Sequence, residues 1–385
     1  MKTTLSFLLI SLVTLTVFPF GSSAAGLESY DAIKAKYAGA QKVRILVVPG
    51  HDDEFFGTSF NGVREADVNL ELAKTIRDYL VHDPNIEVTL ARDEQGYNPN
   101  FLAYFNENKD LIRKTVASQA AAIKLAMTNG EIIVDSQVPH ANAVDQVAQQ
   151  LYGLNSWTDH ENFDLVLHVH FNDYGSRYSD KEGKYSGYSI YVPDQKLLNA
   201  TTSKYFGDAI GKRLMTTLYK SDQTSEKKEA DLYGAIPDFY LIAMGAYKTT
   251  QAPRALVEYS YIYEPQLQSP FTLVTAHMMA RATASGIQDF LAGKKVSTAK
   301  NIEYGWDKTL GVSKVADQDV LMLQYGLSEL GFYPAKGLTR ASCPFSGIFG
   351  TCTKKAVMAF QASRGLSQTG GVGPGTRKAL NTIFR

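Results

Sequence analysis

The 385-residue chain has only two cysteines, Cys343 and Cys352. That excludes a cysteine-rich metal cluster and a disulfide-stapled scaffold, and at most one bridge can form. The chain also lacks net charge: 39 basic and 39 acidic residues cancel. No basic excess points to nucleic acid or to an electrostatically held membrane surface, and neither is expected as a partner. After residue 25 no run reaches the roughly 20 apolar residues a membrane helix needs.

The single long apolar run stands at the start. Lys2, an apolar segment and the small residues of "FGSSAAG" form a secretory signal, with cleavage expected after Ala24 or Ala25. A retained signal anchor is the alternative. In an exported chain, Cys343 and Cys352 read as one local disulfide.

From residue 42 the pattern alternates between strands and helices. "VRILVV" (43–48) ends at Pro49-Gly50 and reads as a buried strand. Val68, Leu72, Ile76 and Leu80 mark one helix face over 66–81. Strands are predicted at 86–92, 163–171, 187–192 and 254–260, and helices at 197–219 and 271–291. This predicts an α/β fold, a mostly parallel sheet flanked by helices. A long insertion, about 94–162, carries two further helical patterns and is read as a helical cap.

Past residue 292 the periodicity stops. Residues 293–314 read as a linker, and 315–385 as a small all-α unit of three helices punctuated by glycine. The expected organisation is therefore a signal peptide (1–25), an α/β domain (26–292), a linker and a helical domain.

Polar chemistry gathers at predicted strand ends, where α/β proteins place their sites. The first strand delivers His51 and the third "HVHFND", with His168 and His170 on one face. The last delivers Glu258, and Glu65 opens the first helix. Two imidazoles, one carboxylate and an open position describe a catalytic zinc site. Strand alternation makes His168 the structural one. His82, His140, His160 and His277 have no partner pattern and read as surface or core residues; for His140 in "VPHANAV" the alternative is that it faces the cleft from the insertion. Tyr174, Tyr178, Tyr185, Tyr188 and Tyr191 line either a glycan groove or a surface loop.

These motifs, in this order, resemble the zinc-dependent N-acetylmuramoyl-L-alanine amidases of the third amidase family. The resemblance rests on Pro49-Gly50-His51, Glu65 with "ADVNLELA", Ala91-Arg92, His170-Phe171-Asn172, "GYSIYV" and "PRALVE". It implies His51, Glu65 and His170 as Zn²⁺ ligands, Glu258 as the catalytic carboxylate, and Asn172 as a neighbouring or substrate-binding group. Two departures stand out: Asp52-Asp53 replaces a glycine pair, and "YSYIYEP" replaces "TGFLSN", which brings in Glu264 as a rival base. Asp52 and Asp53 either orient His51 or form an exposed acidic turn. The C-terminal unit resembles the three-helix peptidoglycan-binding module through "VLMLQYGLSELGFY", "GIFGTCTKKAVMAFQ" and "GGVGPGTRKALN".

The implied protein is a monomeric amidase, secreted, periplasmic or wall-associated, with peptidoglycan as substrate and anchor. The alternatives are a zinc peptidase cutting within the stem peptide and a wall-binding protein without activity.

Overall fold

The computed structural model describes residues 23–39, 41–134, 138, 143–175, 177–247, 251–268, 272–293, 302–340 and 342–385. The proposed signal sequence up to residue 22, and His140, lie outside them. No helix among the described residues is long and apolar enough to cross a membrane.

Six strands form the main sheet: β1 (Val43–Pro49), β2 (Ile86–Leu90), β3 (Leu165–Asn172), β4 (Ser189–Pro193), β5 (Ala235–Asp238) and β6 (Arg254–Tyr261). Their spatial order is β2-β1-β3-β6-β4-β5. The pairs β1/β2, β1/β3, β3/β6 and β4/β5 are parallel, whereas β6/β4 is antiparallel. The sheet is therefore mixed. β5, with its Ile236-Pro237-Asp238, had too short an apolar run to register as a strand.

Alternation along each strand divides the core. Val47, Leu167, Val169, Ile190 and Val257 face one side. They pack in one core with α2 (Glu65–Leu80), α5 (Ala200–Thr217) and α7 (Thr272–Leu291). In α2, Leu72, Ile76 and Leu80 are wholly buried, each worth about 1.5–3 kcal/mol of apolar transfer. On the other side, Leu46, Val48 and Val166 meet Phe101 and Leu154 with Trp157. These last three belong to α3 (Pro99–Thr128) and α4 (Asp145–His160), the two cap helices of the insertion. Unanticipated was α1 (Ser23–Ala38), tied down where Tyr37 donates to Asp83 (2.6 Å) and Lys36 pairs with Asp164 (2.6 Å).

The C-terminal unit comprises α8 (Gln318–Glu329), α9 (Thr351–Ser363) and α10 (Pro374–Phe384). Two buried glutamines hold its glycine loops. Gln324 accepts from the Ser346 and Gly347 amides (both 3.1 Å) and donates to Ile348 O (3.1 Å). Gln361 accepts from the Gly370 amide (2.9 Å) and donates to Gly371 O (2.8 Å). These are the motif's Leu-Gln and Phe-Gln, and their work here is backbone satisfaction. Cys343 and Cys352 are bonded, with Cα atoms 5.7 Å apart.

The stretch read as linker is built into this unit from residue 302 onward. Trp306 is buried against Phe384 (ring centroids 5.7 Å apart), and Leu310 bridges to Val372. Nor does the unit's core stop at its own helices. Tyr325 reaches Thr275 of α7 (3.3 Å), Ser328 donates to Thr216 O of α5 (3.3 Å), and the Phe345 ring lies 6.4 Å from that of Tyr219. The Arg340 guanidinium lies over the rings of Phe345 (4.3 Å), Tyr219 (5.5 Å) and Tyr333 (5.6 Å). Burial there pushes its pKa down to about 10.

Candidate metal centre

β1 ends at Pro49, and the chain must turn sharply to present His51. Gly50 permits the turn because a Cβ there would stand 2.2 Å from the His170 ring. His51 itself adopts φ 61°, a left-handed conformation that costs energy in a non-glycine residue and concentrates at functional sites. Side-chain bonds hold the strained turn. The Gly50 carbonyl accepts from Asn69 Nδ2 (3.0 Å) and Arg92 Nη2 (3.0 Å), and Arg92 also donates to Ala66 O (2.8 Å). Arg92 therefore clamps the His51 loop to the first turn of α2. That gives the Ala91-Arg92 motif a physical task, which its spacing alone did not reveal.

Glu65 is the first residue of α2, where the helix dipole favours a carboxylate. The helix has no side-chain cap, and its first amides instead reach Thr58 O (2.9 Å) and Phe56 O (3.1 Å). The loop 56–64 is thereby folded over the site, and a Cβ at Gly57 would collide with both Glu65 and His51.

His51, Glu65 and His170 converge, with one ligand atom from each lying within 4.8 Å of the others. Glu65 Oε2 is 3.1 Å from His51 Nε2, and Glu65 Oε1 is 3.1 Å from His170 Nδ1. Burial works to raise the Glu65 pKa, but the bonds from His170 and His51 prevail and hold it well below the usual carboxylate range. Burial lowers His170, whereas for the more open His51 the bond and charge of Glu65 outweigh burial and raise it. Two imidazole nitrogens and a carboxylate oxygen, with no fourth protein ligand among the described residues, are the donor set of a catalytic zinc site.

Glu258 is the register partner of His170 across β6 and β3. Its Oε2 is enclosed with no hydrogen-bond partner among the described residues. Burial, then the charges of Glu65 and Glu226, raise its pKa well above the normal value. A carboxyl so placed is set up to take and return a proton.

The remaining candidates separate. His168 is buried and held neutral by burial, with help from Arg254. Asn172 donates to Glu226 Oε1 (2.8 Å) and accepts from the Asp173 amide (2.8 Å). Asp52 accepts from the amides of Glu54 and Phe55 and from Tyr97, and Asp53 pairs with Arg64. None of these bonds reaches the His51 side chain, although the turn Asp52 closes carries Phe55, whose backbone bonds the His51 ring. Glu264 is buried and spends its carboxylate on the turn after β6. It accepts from Gly187 N (2.8 Å), Ser260 Oγ (2.7 Å), Tyr261 N (3.0 Å) and Tyr219 OH (3.0 Å). Of the five tyrosines after His170, Tyr188 and Tyr191 are buried and line no open groove, Tyr174 and Tyr185 are half-buried, and Tyr178 is 80% exposed. Strand alternation cannot show which tyrosines a second layer will cover.

Fold and site together define an α/β protein whose sheet edge gathers His51, Glu65 and His170 into a candidate metal site. The chain belongs to the N-acetylmuramoyl-L-alanine amidase family, whose sequence profile matches residues 45–289, and it is an amidase of peptidoglycan. Residues 316–380 match the putative peptidoglycan binding domain. No curated protein matches the chain. Among solved structures it is similar to the amidase AmiC2 of Nostoc punctiforme, at 15% identity and TM-score 0.39, covering 66% of this chain and 99% of that one. It is similar to the CwlD amidase of Clostridioides difficile, solved with the GerS lipoprotein, at 16% identity and TM-score 0.42, covering 66% and 100%. Ami1 of Mycobacterium smegmatis gives 12% identity and TM-score 0.41, covering 66% and 99%. Family membership rests on the profile match, not on these superpositions.

The close approach at Gly50 yields a test. Gly50→Ala is expected to push the His170 ring aside and weaken zinc binding roughly 10–100-fold, the range for disturbed ligand orientation. Zinc titration of folded protein, checked by circular dichroism, measures it; wild-type affinity would mean the ring moves freely.

Proposed function

We propose that this is an exported zinc amidase that cuts the bond between the lactyl group of N-acetylmuramic acid and the L-alanine of the stem peptide. Its organisation is a signal peptide, a catalytic domain with a helical cap, and a wall-anchoring module. The observation that carries the reading is the convergence of His51, Glu65 and His170 beside Glu258, whose Oε2 has no hydrogen-bond partner among the described residues.

His51, Glu65 and His170 would hold the ion. When bound, zinc polarises the scissile carbonyl and acidifies water. Glu258 accepts a proton from the attacking water and delivers it to the departing amine. Arg92 and Asn69 keep the His51 turn in place. The cap helices α3 and α4 stand on the sheet face that also bears His170 and Glu258.

Digestion of purified peptidoglycan with and without a chelator is the test. New L-alanine amino termini, lost on chelation and restored by zinc, are expected. Termini arising within the stem would instead identify a peptidase. Sequencing the exported protein's amino terminus checks cleavage after Ala24 or Ala25.

A further inference from the structure

One buried carboxylate beside the cleft takes no part in holding metal or moving protons. Glu226, in α6 (Thr224–Glu229), is 4% exposed. Its side-chain hydrogen bonds come from neutral donors on three different strands. Asn172 Nδ2 of β3 (2.8 Å) and Tyr191 OH of β4 (2.9 Å) both donate to Oε1, and Tyr261 OH of β6 donates to Oε2 (3.4 Å).

These donors flank Glu258. In the sheet register Glu258 pairs with His170 on one side and Ser189 on the other. Asn172 lies two residues beyond His170, and Tyr191 two beyond Ser189. Both are thus diagonal same-face neighbours of Glu258, at a spacing that long side chains bridge. Left loose, either would turn to the enclosed, unpartnered Oε2 of Glu258, since a buried lone pair without a partner attracts any donor in reach. In the structure neither does, because Glu226 engages both. The backbone reinforces this: the Glu226 amide bonds Gln223 Oε1 (2.8 Å), fixing the start of the short helix.

We propose that Glu226 is a positioning residue for amide cleavage, drawing the Asn172 amide and the Tyr191 hydroxyl away so that the Glu258 carboxyl stays available for the proton it must take. A neighbour that hydrogen-bonds to this carboxyl would lower its proton affinity and weaken the base. The effect belongs to the chemical step and not to substrate binding. It rests on the amidase reading with Glu258 as the proton-transfer group.

The experiment uses the full-length zinc-loaded protein and a soluble muropeptide. Wild-type release of L-alanine termini tests the underlying reading; ratios among variants test the role of Glu226. Glu226→Ala is expected to lower kcat roughly 10–100-fold, as for other residues that orient catalytic groups. KM and zinc content should stay as in the wild type, the signature of an interaction lost in the transition state alone. Adding Tyr191→Phe removes one of the freed donors and should recover part of the lost kcat, which a merely structural residue would not allow. Glu226→Gln keeps an oxygen where both donors converge and should retain most of the activity. Unchanged kcat in Glu226→Ala, zinc lost in parallel with activity, or a double variant no better than the single one would each overturn the proposal. If Glu226→Ala does not fold, a tenfold or greater kcat loss in folded Glu226→Gln would overturn it as well.

Discussion

Glu258→Ala should keep near-stoichiometric zinc and lose about 10²–10⁴-fold in turnover, the usual contribution of general acid–base help. His170→Ala should lose the metal and the activity together. The difference follows from where the two side chains point. His170 Nδ1 faces Glu65, among the converging ligand atoms. Glu258 is its neighbour across the sheet but is not among them, and one of its oxygens has no partner. Glu264→Ala is expected to act on stability instead. It would leave the Gly187 and Tyr261 amides and the Ser260 and Tyr219 hydroxyls without their acceptor, at about 1–3 kcal/mol for each that stays buried and unpaired. Metal analysis, steady-state kinetics and thermal melts of the three variants check this. Should Glu264→Ala abolish turnover with zinc and stability intact while Glu258→Ala does not, the base is misassigned.

Cutting the chain after Gly293 should have two separable effects. The first is loss of co-sedimentation with intact wall, while cleavage of small soluble muropeptides continues. The second follows from the packing between α8 and helices α5 and α7. Truncation would uncover the surface around Thr216, Tyr219 and Thr275 that Ser328, Phe345 and Tyr325 now cover. Losing the burial of even two such aromatic contacts is worth about 3 kcal/mol. At roughly 2–4 °C per kcal/mol, the truncated protein should melt at least about 5 °C lower. Equal pelleting of the two proteins would remove the anchoring role, and equal melting temperatures would show that the packed interface contributes nothing.

Much of the site was legible because its motifs are local. Pro49-Gly50-His51 and His170-Phe171-Asn172 sit at the ends of strands whose apolar runs are unmistakable, and Glu65 opens a helix with regular four-residue spacing. Secondary structure of that kind is encoded within about ten residues of chain. The same locality explains the errors. Residues 302–314 have no period, yet Trp306 and Leu310 are held by α10 and Val372, partners more than 60 residues away. The five tyrosines after His170 look alike in sequence, but Tyr188 and Tyr191 are covered by elements that arrive later in the chain.

Composition and periodicity by themselves determined the α/β class and the helical C-terminal unit, and the ordered motifs, through the family they resemble, pointed to His51, Glu65, His170 and Glu258 as candidates. The tertiary structure alone decided that Arg92 and Asn69 brace the His51 turn and that Glu264 is committed to a turn. It alone brought Glu226 across three strands to the flank of Glu258 and seated the C-terminal unit on α5 and α7. The physical reason is the range of the interactions. Helix and strand patterns record which face of a segment is apolar, a property of neighbours in sequence. A buried carboxylate or guanidinium is assigned its task by whichever donors and acceptors the folded chain brings within about 3 Å, and those lie tens to hundreds of residues away.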